Sequence, residues 1–155
     1  MNQKKVRPTF IERIKGNEKY FFFAVLLLNL IPLLITPFFP TLDGPAHAHN
    51  AKLISQLVFG ESSVVNDFYT LNTFPVPNWS GHALLLFFQG ILPAYLAEKA
   101  LLILIVIGIP LAFRSLIRSV SPNQLFLSYF AFPLTYSVLF YMGFYNFLIG
   151  IIFML

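Results

Sequence analysis

Asp43 and His47 stand four residues apart in the stretch Leu42-Asp-Gly-Pro-Ala-His47. On a helix that spacing puts both side chains on adjacent turns of one face. A carboxylate so placed can take a proton from a hydroxyl nucleophile, or it can ligate a metal ion. It can equally do no chemistry, because Asp ahead of a helix is a residue type that caps helices, and His47 can be an interfacial polar residue. Both readings are open at this level. His49 falls on another side of the same helix, so a His47–His49 metal pair is not expected. Asp43 and His47 supply two ligands, and stable zinc sites generally use three or four. Glu61, Asp67 and His82 are the loop residues that could add to them. No cofactor is expected; a divalent metal has no support in the spacing.

Four other polar residues are candidates for substrate binding or packing. Lys52 can meet a lipid phosphate, as can Lys99, for which snorkelling to headgroups is the simpler account. Asn146 sits between aromatics at a boundary of the apolar region, where it can bind substrate or join helices. Asn29, inside an apolar run, can bridge helices or face a cavity. The sequence contains no P-loop, GxGxxG, GxSxG or HExxH pattern. Nucleotide-driven chemistry, hydride transfer and acyl-serine chemistry are unsupported, and a nucleic-acid partner is not expected. The chain has no Cys, which excludes disulfides, thiol chemistry and thiolate metal sites.

The elements that must position these residues are apolar. Of 155 residues, 57% are hydrophobic and 10% charged, against about 25% charged in ordinary globular domains. The mean hydropathy is +0.75. The composition points to an all-α, polytopic transmembrane helical bundle, with room for about four spans of roughly 20 residues. Residues 1–19 form a basic tail with six of the ten Lys and Arg residues, which places the N-terminus in the cytoplasm. Phe10, Arg13 and Ile14 within it could make a short interfacial helix, or the tail could be solvated. Residues 20–39 form the first span, read as uncleaved because signal-peptide cores are shorter, about 7–15 residues.

An outer loop over 40–94 follows. The turn at Asp43-Gly-Pro45 leads into a surface helix over 44–59, stopped by Gly60. Trp79 fits an interfacial anchor, and Asn78-Trp-Ser80 matches a glycosylation sequon as short patterns often do by chance. A second surface helix runs His82–Leu92 and ends near Pro93. A second span over 95–113 leaves Arg114 and Arg118 in the cytoplasm, which gives eight basic residues inside and two outside. A third span over 124–140 is kinked by Pro133. Residues 144–155 open a fourth span that the chain does not finish, so it reads as the N-terminal piece of a longer protein. No charge lies deep in these spans.

The arrangement resembles the N-terminal part of the GT-C superfamily of integral membrane glycosyltransferases, in its uncharacterised bacterial branch. Four features carry the resemblance: the basic tail before the first span, the acidic Asp43 almost directly after it, the surface helices 44–59 and 82–92, and the span from Ala97-Glu-Lys99 to Arg114-Ser-Leu-Ile-Arg118. Gly143-Phe-Tyr-Asn-Phe147 adds to them. The resemblance implies a polyprenyl-phosphate sugar donor, an acceptor hydroxyl on the outer face, Asp43 as the catalytic base, membrane lipids as partners and the bacterial inner membrane as location. Many members carry a second acid beside the first; here Gly44 follows Asp43, which counts against a metal-dependent variant. Alone, the piece should be inactive. Two competing readings are a non-enzymatic polytopic protein, such as a transporter subunit or assembly factor, and a proton- or metal-coupled carrier using Asp43 and His47.

Overall fold

The computed structural model describes residues 16–60, 63–72, 74 and 78–155. The expected interfacial helix near Phe10–Ile14, the basic residues before Gly16, Glu61 and Pro75–Pro77 lie outside them. Among the described residues the chain is all-helical, with no strand. Three segments are long and apolar enough to cross a membrane: Glu18–Ile35, Ala94–Val120 and Pro122–Met142.

The first segment is two helices, α1 (Glu18–Asn29) and α2 (Ile31–Ile35), joined at Leu30. Pro32 sits at the start of α2, where its missing N–H costs nothing. Thr36 ends α2 in an extended conformation, so the expected run to Phe39 stops four residues early. The ammonium of Lys99 donates to the Thr36 carbonyl at 2.6 Å, a cation on a carbonyl at a helix end.

Then come α3 (Gly44–Phe59) and α4 (Ser63–Phe68). Gly60 closes α3 in the left-handed region at φ 68°, as the sequence suggests. Next is α5 (Trp79–Gln89), which begins one turn earlier than expected and ends before Gly90.

The long helix α6 (Ala94–Val120) is the axis of the fold. Leu101, Ile105 and Ile109, with Leu102 and Val106, recur at helical spacing and form a fully packed face. Leu33, Leu85, Phe140, Tyr145, Leu148 and Ile149 pack against it. Pro110 lies inside α6 without ending it.

α6 extends seven residues past the expected boundary at Phe113 and carries Arg114 within it. Arg114 is only 5% exposed. Its guanidinium donates to both Glu18 oxygens, at 2.6 and 2.5 Å, and to Ser128 Oγ at 3.2 Å. It also lies 4.3 Å from the centre of the Phe22 ring. Glu18 and Arg114 both lie outside the expected spans 20–39 and 95–113, and their burial as a pair is set by the packing of α1 beside α6.

The return segment is not one kinked helix. It runs as a 3-10 helix (Pro122–Phe130), then α7 (Ala131–Thr135) and α8 (Val138–Met142). Pro133 lies within α7, and the break comes later, at Tyr136. Asn29 holds that break: its amide donates to Thr135 Oγ1 at 2.9 Å, and its carbonyl accepts from the Tyr136 hydroxyl at 2.6 Å. Asn29 is thus a bridge between helices. The last element is α9 (Tyr145–Met154).

Candidate functional site

Asp43 occupies the position before α3 where a capping residue belongs, yet its side chain makes no capping bond. A capping residue normally has extended φ and ψ, which fold its side chain back onto the first-turn amides. Asp43 instead has φ −96° and ψ −3°. Its backbone explains this. Leu42 N–H donates to the Tyr141 carbonyl at 2.8 Å, and Asp43 N–H to the Met142 carbonyl at 3.2 Å. The segment before α3 is stitched to the end of α8, and Gly143 (φ +82°) follows directly. A Cβ on Gly143 would sit 3.3 Å from Asp43 Cβ and 3.1 Å from the Gly44 amide nitrogen.

Asp43, His47, His82, Asn146, Phe144 and Asn78 line a cavity of about 420 Å³. Of the two described loop residues considered for a metal set, His82 lines this cavity with Asp43 and His47, and Glu61 lies outside the described residues. Asp67 is exposed on α4 and lines no part of this cavity. Lys52 is exposed on α3 and also lies outside the lining. His49 is exposed. Among the described residues, no group of three or more His, Asp or Glu side chains is arranged to hold a metal ion.

His47 Nδ1 lies 3.2 Å from His82 Nε2, and His82 Nδ1 lies 3.2 Å from the Asn78 carbonyl. Both contacts are hydrogen bonds when each neutral ring carries its proton on Nδ1. Burial lowers the His47 pKa from its ordinary value, and the neighbouring His82 lowers it further. Asp43, the Gly143 backbone and Glu98 act the other way. The Tyr145 ring, 5.2 Å away, completes its surroundings. The net direction is down, so His47 is neutral at pH 7. An unfolded His, with a pKa of about 6.5, then binds more protons than the folded one at mildly acid pH. This contribution to stability is complete above about pH 6.5 and is lost as the pH falls towards the lower folded value. The melting temperature should drop between about pH 7.5 and about pH 5.5, and His47→Gln should flatten that drop. An unchanged pH profile in His47→Gln would assign the titration elsewhere.

Asn146 performs a job that its neighbours in sequence do not reveal. Its Oδ1 accepts from the Gly81 amide at 2.6 Å and from Ser80 Oγ at 2.9 Å. Gly81 is in the first turn of α5, so Asn146 supplies from α9 the capping bond that α5 lacks locally. Asn78 starts that helix at φ +73°, a conformation Asn tolerates better than most residues. The amide nitrogen of Asn146 is used in neither bond.

Behind the cavity lies a cluster that sequence reasoning missed. Glu98 Oε1 accepts from Thr41 Oγ1 at 3.0 Å and from the Tyr145 hydroxyl at 2.8 Å, while the two hydroxyl oxygens stand 2.9 Å apart. Glu98 entered the sequence reading only as the charge that opens the span at Ala97-Glu-Lys99. Gly44 makes room for the cluster: a Cβ there would overlap Glu98 Oε1 and Thr41 Oγ1 and come within 2.6 Å of the Tyr145 hydroxyl. Gly44→Ala should therefore destabilise the protein by about 1–3 kcal/mol, the usual range for overpacking. Equilibrium unfolding in mixed micelles checks this, and a neutral result would mean that the Glu98 side chain swings aside freely.

No family model matches this chain, and no curated protein or solved structure matches it either. Among the described residues, fold and site together define an all-helical chain with three helical segments apolar enough to cross a membrane and a polar cavity lined by a carboxylate and two imidazoles.

Proposed function

We propose that this chain is the N-terminal membrane module of a GT-C-like glycosyltransferase that moves a sugar from a lipid-phosphate donor to an acceptor hydroxyl. The observation that carries the reading is the Asp43 carboxylate, which makes no capping bond and lines a cavity with His47, His82 and Asn146. In the reaction, the acceptor O–H proton passes to the Asp43 carboxylate. The acceptor oxygen forms a bond to the anomeric carbon, and the bond from that carbon to the donor phosphate breaks. Its electron pair leaves with the phosphate, and the anomeric configuration inverts.

His47, a neutral imidazole beside the carboxylate, is placed to orient the acceptor, and the Asn146 amide nitrogen is placed to bind it. Lys52 has no part in this cavity. Under the proposal the chain is a polytopic bundle in the bacterial inner membrane, with its N-terminus in the cytoplasm and α3 and α5 on the outer side. The non-enzymatic reading accounts for Asp43 as a helix cap, and the missing capping bond weighs against it. The test is sugar transfer from a panel of polyprenyl-phosphate donors by membranes carrying the complete gene product. Transfer that depends on the protein supports the reading; none from any donor favours a scaffold or carrier.

A further inference from the structure

α3 carries Leu53, Ile54 and Leu57 at helical spacing on one side, and Trp79 begins α5 opposite them. With the segment 69–72 these residues line a second, open-sided cavity of about 340 Å³. That size suits a small-molecule site, and so does its pattern of mostly apolar walls with a few convergent polar groups. Asn78 and His82 line both this cavity and the one that holds Asp43, so they form a common wall.

Charge decides what the pair of cavities can hold. Among the described residues, neither cavity is lined by any Lys or Arg, and the polar one contains the Asp43 carboxylate. A phosphate headgroup there would meet a like charge with no cation to offset it. A neutral hydroxyl headgroup would meet an acceptor carboxylate and an imidazole. Exposed apolar side chains crowd the ends of the flanking helices: Phe59 closes α3 and Phe68 closes α4. These surroundings suit a hydrocarbon chain arriving from a bilayer.

We propose that the second cavity holds the hydrocarbon tail of a hydroxyl-headed lipid, which is the acceptor, and that its hydroxyl passes the His82–Asn78 wall to reach Asp43. The role of the hydroxyl rests on the glycosyl-transfer reading; the tail site itself does not. The tail binds without covalent chemistry, and Leu53, Ile54, Leu57 and the Trp79 indole are its contacts. The site selects for a neutral head and against the charged donor.

Trp79 is the single tryptophan of the chain, and bromine quenches indole fluorescence only at contact range. The experiment places the complete protein in phosphatidylcholine nanodiscs and titrates a bromine-tipped undecanol. Trp79→Phe identifies the part of the signal that belongs to the site. Quenching should saturate and be relieved by excess undecanol. The corresponding bromine-tipped undecyl phosphate should bind at least about tenfold more weakly. Ile54→Phe and Leu57→Phe, which fill the cavity, should each weaken the alcohol by about tenfold, and a folded example of either suffices. Quenching that is linear, unsaturable and equal for alcohol and phosphate would be bilayer partitioning and would overturn the proposal. Tighter binding of the phosphate would overturn it too, by assigning the cavity to a donor tail. Saturable alcohol binding without any sugar transfer would leave this site standing and remove the glycosyl-transfer reading, whereas transfer without alcohol binding would do the reverse.

Discussion

Under the proposed reaction, Asp43→Asn should lower sugar transfer by about 10²-fold or more while leaving thermal unfolding unchanged. The size follows from the role: positioned general bases contribute roughly 10²–10⁴ to a rate, and Asn keeps the shape of Asp without a basic oxygen. The unchanged stability follows from the geometry. Replacing a working cap with Ala costs about 0.5–2 kcal/mol. Asp43 makes no side-chain capping bond, so even Asp43→Ala should stay well below that range. The pair of measurements separates the readings. Lost transfer at constant stability identifies a base. Retained transfer with a lower melting temperature would make Asp43 a cap after all, and the proposed chemistry would fall with it.

Arg114→Ala should cost about 3–5 kcal/mol, the range for removing one partner of a buried ion pair. The Arg114 side chain is 7% exposed and the Glu18 side chain 20%, so little water is present to take over. The substitution strands the Glu18 carboxylate and removes the cation from the Phe22 face and the donor from Ser128. Combining Arg114→Met with Glu18→Leu should recover much of the loss, because two matched apolar side chains leave no uncompensated charge. Equilibrium unfolding in mixed micelles measures both. A loss below about 1 kcal/mol in the single variant would class the pair with solvent-screened surface bridges instead.

What the sequence discloses here is local, and what it conceals is tertiary. The bounds of α3 could be read directly, because Asp43-Gly-Pro45 and Gly60 are punctuation written next to the helix they delimit. The start of α5 could not, because its capping oxygen comes from Asn146, 65 positions away. The break at Tyr136 was assigned to Pro133 by local reasoning, and its partner is Asn29, more than a hundred positions earlier. The same limit applies to the site. Asp43 and His47 announce themselves by spacing. His82, Glu98 and Tyr145 are scattered single residues until α5, α6 and α9 meet around them. Lys52 was singled out for its charge alone, and charge says nothing about which way a residue on α3 faces.

The closure of the polar cavity by α9 also sets when the site can exist. Thr41 and Tyr145 touch across 104 positions of chain, and the capping bond to α5 comes from the residue after Tyr145. A ribosome adding roughly 5–20 residues per second needs about 5–20 s to travel from one to the other. From the addition of Gln89 to the end of that interval, α3 and α5 have been made, yet the wall that completes their cavity has not. Until α9 is made, Asp43 has α3 and α5 beside it but not the Asn146 and Tyr145 side chains that complete its surroundings.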